Sequence, residues 1–505
     1  MNKNQKSFLN ALFGIINMAL TGLLGLILNN QIIFSFGSEY NGINSTITQI
    51  INTLLILEGG FCLASNVALF KPLNDNDINK INGILSATRL RFLTVGFFAL
   101  ILGIVISVIY PRTIDSSISN VMVFELIVVA IIPIVINFMF NMKYRVILLA
   151  NQQEYIITLS SMIALSFGNV LAILSIYIGK SLLVARILIA SALVLSYIFV
   201  AIYCRKKFKY INFSADPLFS EIKGTKNVVV MKIVSVIYTS IPIVIISTLP
   251  ITGTLLASVY GVYKSIISIV KGSITAVLNA PRLSFGALFA EGRKNDAKKF
   301  FRIYETIMLI GISVILGTTS CLILPFVDLY TRGVEDIYYG NIWIATILII
   351  TSFIEIIHIP SGQIIQMSGK FKVSRKIQSV ACVILIIGLF LGRIVENTYM
   401  ILLAILVAAI ILAILEILYT NTQIFKNGLK QFIIKLMPAI SICIICLMIG
   451  CSGIIFLDSY FEFAIYGLIC VFITSFISII LYYILEKDNI IWIFKNIFLK
   501  ILKIK

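Results

Sequence analysis

The segment ALFKPLNDNDINK at residues 68–80 returns as ALFAEGRKNDAKK at residues 287–299, with six of thirteen positions identical and no gap. The two copies lie 219 residues apart, and each follows one of the long apolar stretches of the chain, the second and the eighth. If these stretches are membrane spans, an even number of spans separates the copies, so the two halves have the same orientation. The repeat therefore predicts two parallel-repeat six-helix bundles followed by two C-terminal helices.

The composition of the chain excludes a soluble globular protein. Its 505 residues are 59% apolar and 12% charged, and the mean hydropathy is +1.04. Soluble domains carry about 25% charged residues, and none has enough interior to hide this much apolar surface. Apolar stretches long enough to cross a bilayer are expected to be helical, because lipid offers the backbone no hydrogen bonds. The sequence thus predicts an all-α polytopic membrane protein of about 14 transmembrane helices. They lie near residues 8–34, 43–70, 92–110, 121–141, 155–179, 182–204, 228–249, 255–279, 303–326, 341–367, 377–391, 398–422, 434–456 and 463–485.

The repeat and the spans divide the chain into four parts. The N-terminal six-helix bundle is predicted at residues 1–210 and the C-terminal six-helix bundle at residues 228–425. Between them, residues 211–227 form a cytoplasmic connector, whose polar composition and Pro217 suit a loop. The remaining residues, 426–505, hold two additional transmembrane helices and a basic cytoplasmic tail.

Lysine and arginine residues are distributed unequally between the two sides of the predicted spans. Counted on alternate sides, 32 of them lie on one side and 4 on the other. Because positive residues collect on the cytoplasmic side, both termini are predicted to lie in the cytoplasm, as in a multi-pass protein of the plasma (inner) membrane. The net charge of +18 comes from short clusters between apolar stretches, which argues against nucleic-acid binding.

The eighth span, SVYGVYKSIISIVKGSITAVLNA at residues 258–280, carries two lysines inside an apolar stretch. Its polar residues recur at spacings of four, three, four and four, which places them on one helix face. These residues are Lys264, Ser268, Lys271, Thr275 and Asn279. A charge at the bilayer centre costs about 2.5–3.5 kcal/mol, so such residues normally face a wet cavity or a partner. The stripe predicts a cationic wall, and the alternative is that each lysine snorkels to the nearer membrane surface.

Other spans carry isolated charges. Arg186 lies in the sixth span, Lys232 in the seventh, and Glu58 and Glu416 in the inner parts of the second and the twelfth. Each of these side chains can line a cavity, pair with an opposite charge or snorkel to the surface.

The tenth span, NIWIATILIITSFIEIIHIPSGQIIQM at residues 341–367, contains Glu355 and the only histidine, His358. The two residues are three positions apart on one helix face, just before Pro360, which can break the helix. A carboxylate beside an imidazole changes protonation near neutral pH, so this pair is a candidate site for ion coupling, as is Glu58. A mutually satisfied structural pair is the alternative.

No catalytic constellation is visible in the sequence, since the outward loops are short and nearly free of ionisable groups. The chain has no GxxxxGK[ST] motif, so nucleotide hydrolysis is not expected. Seven of the eight cysteines lie inside predicted spans and Cys204 lies at the end of one, and the closely spaced Cys443, Cys446 and Cys451 have no second ligand cluster. We therefore expect a transporter without catalytic residues, metal or cofactor, rather than an enzyme.

Five segments together resemble the polysaccharide or O-antigen (lipid-linked oligosaccharide) flippases of the multidrug/oligosaccharidyl-lipid/polysaccharide (MOP) exporter superfamily. They are FSFGSEYNGINS (34–45), LLILEGGFCLASNVALF (54–70), YRVILLANQQEYI (144–156), SVYGVYKSIISIV (258–270) and QIIQMSGKFKVSRKIQSV (363–380). The resemblance implies a flippase that moves an undecaprenyl-diphosphate-linked oligosaccharide from the inner to the outer leaflet of the plasma membrane, for cell-surface polysaccharide biosynthesis. The partners it implies are this substrate, membrane lipid and other membrane proteins of polysaccharide assembly.

The family's cationic central cavity suggests which residues hold the substrate. A diphosphate needs cations to leave water, and the candidates in the spans are Lys264, Lys271, Arg186 and Lys232, with the Ser268 hydroxyl for additional hydrogen bonds.

Three other functions remain open. A multidrug or cation antiporter of the same superfamily needs acidic cavity residues, whereas the charges in these spans lean basic. A flippase for another isoprenoid-linked precursor, such as a teichoic-acid or peptidoglycan unit, fits the same residues. A membrane glycan polymerase or ligase needs a large external loop with acceptor-binding arginines, and the outward side offers only Arg112, Arg332 and Arg393.

Overall fold

The computed structural model describes residues 3–58, 60–222, 225–279, 282–426 and 428–495. In these ranges the regular secondary structure is helical throughout, and 13 helices are long and apolar enough to cross a membrane. Large apolar side chains such as Phe97, Phe98 and Leu195 are exposed on the helix surfaces, where a bilayer would cover them. The prediction of an all-α polytopic membrane protein is confirmed.

The helices follow the predicted spans along the whole described chain. In order they are α1 (Lys3–Phe36), α2 (Ser38–Leu54), α3 (Phe61–Asn74), α4 (Ile78–Ile109), α5 (Asn120–Ile136), α6 (Met142–Ala150), α7 (Glu154–Tyr177), α8 (Leu182–Lys207), α9 (Thr225–Ser247), α10 (Gly253–Asn279), α11 (Arg282–Ala290), α12 (Lys294–Gly311), α13 (Gly317–Tyr330), α14 (Ile342–Ile357), α15 (Ile359–Met367), α16 (Phe371–Ile394), α17 (Thr398–Tyr419), α18 (Leu429–Cys451), α19 (Tyr460–Leu485) and α20 (Lys487–Ile493).

The second predicted span is not one continuous helix. After α2 ends, a short 3₁₀ turn covers Leu55–Glu58, and α3 begins at Phe61. Gly60 has a φ of 68°, in the left-handed region that interrupts a helix and that glycine adopts without steric cost. This broken span together with the 13 candidate spans gives the fourteen that the sequence predicts.

Helix bounds in the two halves agree with an offset of 219 residues. Shifted by this offset, α7 becomes 373–396, and α16 covers Phe371–Ile394. The π-helical turn Asn137–Asn141 in the fourth span becomes 356–360, which includes His358, where the tenth span is interrupted. These correspondences support the parallel repeat that the sequence predicts.

The chain folds into two compact units, Met1–Val262 and Tyr263–Lys505, with the boundary inside α10. Each unit has its own apolar core. The core of the first unit includes Ile43, Ile47, Leu69, Phe92 and Phe138. That of the second unit includes Phe285, Tyr304, Leu309, Ile356 and Tyr482. The predicted division at residues 1–210, 211–227, 228–425 and 426–505 stays a prediction.

Candidate functional site

The polar stripe on α10 is the first part of the candidate site. Lys264 and Lys271 are half-buried, and Ser268 between them is exposed, with its hydroxyl donating to the Ser265 carbonyl at 2.9 Å. Two helical turns separate the lysines, so both ammonium groups lie along the same side of the helix. The stripe is thus accessible from outside the apolar core, as a binding surface requires.

An ion pair links this stripe to α14. The Lys271 ammonium donates directly to Oε2 of Glu355, whose side chain is 15% exposed. The charge of Lys264 also interacts electrostatically with its surroundings. The Glu355 carboxylate attracts it, and the Lys271 ammonium repels it. These three side chains form one electrostatic cluster in the second unit, with a formal charge of plus one. Inside a low-dielectric membrane protein, such interactions are stronger than in water.

The structure gives Glu355 and His358 different partners instead of pairing them with each other. Glu355 contacts α10, while His358 Nδ1 lies 2.8 Å from Oε2 of Glu416 on α17. The helix is interrupted at His358, between α14 and α15, and Pro360 has no N–H to donate to Ile356. The two residues therefore do not form a mutually satisfied pair in this structure.

Glu416 is the site residue whose role the sequence did not reveal. Its side chain is 2% exposed, and its carboxylate faces the imidazole of His358. In the sequence, Glu416 is a lone carboxylate in an apolar span. This feature alone does not identify His358, 58 positions away, as its partner.

The other predicted substrate-binding cations lie in the first unit, and both are bonded there. Arg186 Nη2 donates to the Asn44 carbonyl at 2.8 Å and to Thr48 Oγ1 at 3.2 Å, which ties α8 to α2. Lys232 Nζ lies 3.1 Å from Oε2 of Glu58, so α9 is tied to the 3₁₀ turn after α2. The candidate coupling residue Glu58 is therefore the counterion of a predicted substrate residue.

A closely packed seam joins α2 and the α4–α5 loop to the α9–α10 hairpin, at the ends that the charge distribution predicts to face outward. Its hydrogen bonds are Asn41 Nδ2 to Ser258 Oγ (2.7 Å), Tyr110 Oη to Ser247 Oγ (2.9 Å) and Ile251 N–H to Asp115 Oδ2 (3.0 Å). At its centre, a Cβ atom on Gly42 would lie only 1.8 Å from the Thr254 carbonyl oxygen. Only glycine permits this approach, so the seam is closed in this structure.

Among the described residues, no group of three or more His, Cys, Asp or Glu side chains could hold a metal ion. The α10 cluster consists of two lysines, a serine and a single carboxylate, Glu355. Such a cluster suits an anion better than a cation, because the ammonium groups outnumber the carboxylate.

The fold matches solved structures of membrane transporters. The lipid II flippase MurJ in an inward closed conformation has a TM-score of 0.64 and 15% identity, over 94% of this chain and 99% of that one. An inward-facing multidrug resistance MATE family transporter of the MOP superfamily has a TM-score of 0.61 and 14% identity, over 82% and 98%. A MOP superfamily transporter from Pyrococcus furiosus has a TM-score of 0.55 and 14% identity, over 84% and 96%.

Sequence comparison adds no closer relative. No family model matches the chain, and no curated protein matches it. At 13–15% identity the structural likeness establishes the fold. The chain therefore has the fold of the MOP-superfamily transporters.

Proposed function

We propose that this chain is a plasma-membrane flippase that moves an undecaprenyl-diphosphate-linked oligosaccharide from the inner to the outer leaflet, for cell-surface polysaccharide biosynthesis. The observation that carries the proposal is the cluster on α10 and α14, in which Lys271 pairs with a single carboxylate, Glu355, and Lys264 lies two turns away on the same helix. The proposal includes cytoplasmic termini and a substrate shared with other membrane proteins of polysaccharide assembly.

The cluster can bind a diphosphate by exchanging one anion for another. Before substrate binds, Glu355 neutralises Lys271. A diphosphate group offers several oxyanions, which can accept hydrogen bonds from Lys271 and Lys264 together. Charged groups are costly to desolvate. In the substrate-bound site, the lysines offset the cost of desolvating the diphosphate. In the empty site, Glu355 offsets the cost of desolvating the lysines. The lipid tail stays in the bilayer throughout.

The seam gives the transporter a closed outward end in the first unit. Gly42 and Thr254 are in backbone contact there, so substrate can leave outward only after α2 and α10 separate. We propose that transport alternates between seam-closed and seam-open states, as two-state models of alternating access require.

The membrane potential can drive transport in the proposed direction. Moving one negative charge outward across an inside-negative membrane releases roughly 2.3 kcal/mol per 100 mV, so a diphosphate with about two charges gains roughly 4–5 kcal/mol. Coupling to a proton or cation at Glu355, His358 or Glu58 is a further proposal, for which the buried His358–Glu416 contact is the supporting geometry.

The multidrug antiporter is the second candidate, because MATE transporters share the fold. Two observations favour the flippase. The α10 cluster carries more positive than negative side chains, and it would repel a cationic drug. In addition, residues 1–425 make up about 84% of the chain, so the MurJ match over 94% must extend into residues 426–505.

Deletion of the gene in its host tests the proposal. With radiolabelled sugar, we expect lipid-linked oligosaccharide to accumulate in the cytoplasmic leaflet, and the native chain to relieve the accumulation. Lys264→Gln/Lys271→Gln should fail to relieve it, whereas Lys180→Gln, an exposed lysine outside the helices, should succeed. Accumulation of unpolymerised units in the outer leaflet would indicate a polymerase or ligase. No lipid-linked accumulation, together with lost efflux of cationic dyes, would indicate the antiporter.

A further inference from the structure

The segment that follows α8 is held against the first part of α4. The hydrogen bonds are Asn82 Nδ2 to the Tyr210 carbonyl (3.1 Å), Asn212 N–H to Asn82 Oδ1 (2.9 Å), Leu218 N–H to the Gly83 carbonyl (3.0 Å) and Arg89 Nη1 to the Phe213 carbonyl (3.3 Å). Because each of these hydrogen bonds involves a backbone atom of the segment, the segment has a fixed position on the first unit. Phe213 is thereby brought beside α6.

Three cations converge on an aromatic pair at this place. The rings of Tyr144 and Phe213 meet edge to face with centroids 5.2 Å apart. Lys143 Nζ lies 4.9 Å from the Phe213 centroid and 5.2 Å from that of Tyr144. Arg205 Nε donates to Tyr144 Oη at 2.9 Å, and Arg89 reaches the Phe213 carbonyl. We name Arg89, Lys143 and Arg205 the basic cluster.

The basic cluster differs from three other lysine sites of the membrane region, whose ammonium groups are each matched by a carboxylate. Lys232, Lys271 and Lys435 are each paired with a carboxylate. In the part of the chain that the structure describes, none of the three cations of the basic cluster forms an ion pair. The positive charges of Arg89 and Arg205 both repel the Lys143 ammonium. An anion bound among them would relieve this repulsion.

The surroundings of the basic cluster indicate the kind of anion. Arg205 is exposed, and Arg89 and Lys143 are half-buried, so a ligand can reach all three. Leu90 and Ile202, close to them in sequence, have 43% and 49% of their side chains exposed. A basic group beside exposed apolar side chains is typical of the depth where lipid headgroups meet the hydrocarbon region. By the charge distribution, this end of the helices faces the cytoplasmic leaflet.

We propose that the basic cluster binds the phosphate group of an anionic phospholipid of the inner leaflet. The guanidinium groups of Arg89 and Arg205 and the ammonium of Lys143 donate to the phosphate oxygens, while the acyl chains lie along the exposed apolar side chains of α4 and α8. The bound lipid is not the transported substrate, so this proposal stands apart from the α10 cluster. It holds the connector segment, α4, α6 and α8 together at one membrane surface.

Native mass spectrometry of the full purified chain tests this proposal, with phosphatidylglycerol and phosphatidylcholine as probes. We expect phosphatidylglycerol to bind more tightly than phosphatidylcholine. Lys143→Gln and Arg205→Gln should each weaken phosphatidylglycerol binding by about fivefold, the contribution of one basic residue near an anionic lipid surface. Arg205→Lys, which keeps the charge, should retain most of the affinity. Lys206→Gln, an exposed lysine at the same helix end, is the matched control and should bind like the native chain.

Three results would overturn the proposal. The first is equal binding of the two lipids by the native chain. The second is a loss of binding in Lys206→Gln as large as in Arg205→Gln, which would indicate general surface charge. The third is displacement of the lipid by millimolar inorganic phosphate, which would indicate a site for free phosphate. Thermal unfolding in phosphatidylcholine shows whether each variant is folded, and Arg205→Lys decides the matter if both glutamine variants fail to fold.

Discussion

Replacing Gly42 by alanine should force the seam open. The added Cβ would lie 1.8 Å from the Thr254 carbonyl oxygen and 2.9 Å from the carbonyl carbon, whereas real Cβ contacts essentially never fall below 3.0 Å. Both atoms belong to the backbone, so no rotamer change can relieve the overlap. The seam ends of α2 and α10 must therefore separate by at least about 1.2 Å, the difference between 3.0 and 1.8 Å.

The separation weakens the interactions that keep the seam closed. The hydrogen bond between Asn41 and Ser258, 2.7 Å long, is one residue from the overlap and cannot survive such a shift with good geometry. Overpacking of this kind costs about 1–3 kcal/mol. If only the seam-closed state bears the cost, the equilibrium shifts toward the seam-open state by about 5- to 150-fold.

Spin labels at Asn120→Cys and Thr252→Cys measure this shift, in a background without the eight native cysteines. Both positions are exposed at the seam end of the first unit, one on each side of the seam. We expect the distance distribution to lengthen in Gly42→Ala. Gly25→Ala on α1 is the control, because its Cβ would meet nothing within 4 Å. Identical distributions for Gly42→Ala and the native chain would refute the reasoning.

Three further substitutions test contacts within the units. Glu416→Ala removes the acceptor facing His358 and should lower the free energy of unfolding in detergent by about 1–3 kcal/mol; an unchanged value would mean that the buried contact is absent. Arg186→Gln should lower it by about 1–2 kcal/mol, since a charged donor to α2 is lost, and a denaturant titration that matches the native chain would contradict this. Lys435→Met should lower the free energy of unfolding by about 3 kcal/mol, because Glu486 loses the ammonium that lies 2.9 Å from its carboxylate. The double variant Lys435→Met/Glu486→Leu should recover part of that stability. If the double variant loses as much unfolding free energy as Lys435→Met and Glu486→Leu lose together, the two charges do not interact.

The fold follows closely from the sequence because membrane insertion leaves few options. Apolar stretches of sufficient length must be helical, and the repeat at residues 68–80 and 287–299 fixes the number of spans between its copies. Helix bounds on both sides of the 219-residue offset agree for this reason. The break at Gly60 could not be placed, because a glycine in a span is compatible with a continuous helix.

The candidate site was only partly predictable. Helical spacing correctly places Lys264, Ser268 and Lys271 along one helix, since α10 is continuous through them. The same spacing argument places Glu355 beside His358, yet each side chain has a partner on another helix. The partners that the structure provides, Lys271 for Glu355 and Glu416 for His358, lie 84 and 58 positions away. Spacing within one span carries no information about such contacts.

Lipid translocation by the purified chain tests the proposed function most directly. The chain is reconstituted into liposomes with a fluorescent undecaprenyl-diphosphate oligosaccharide in both leaflets, and an impermeant reductant bleaches the outer leaflet. With an inside-negative potential, the native chain and Lys180→Gln should deliver the inner pool to the reductant. Lys264→Gln/Lys271→Gln should slow delivery by more than about tenfold, since about 1.4 kcal/mol of lost diphosphate binding suffices for that factor. An inner pool that stays protected with the native chain, or equal rates for the double variant, would contradict a flippase that uses these lysines.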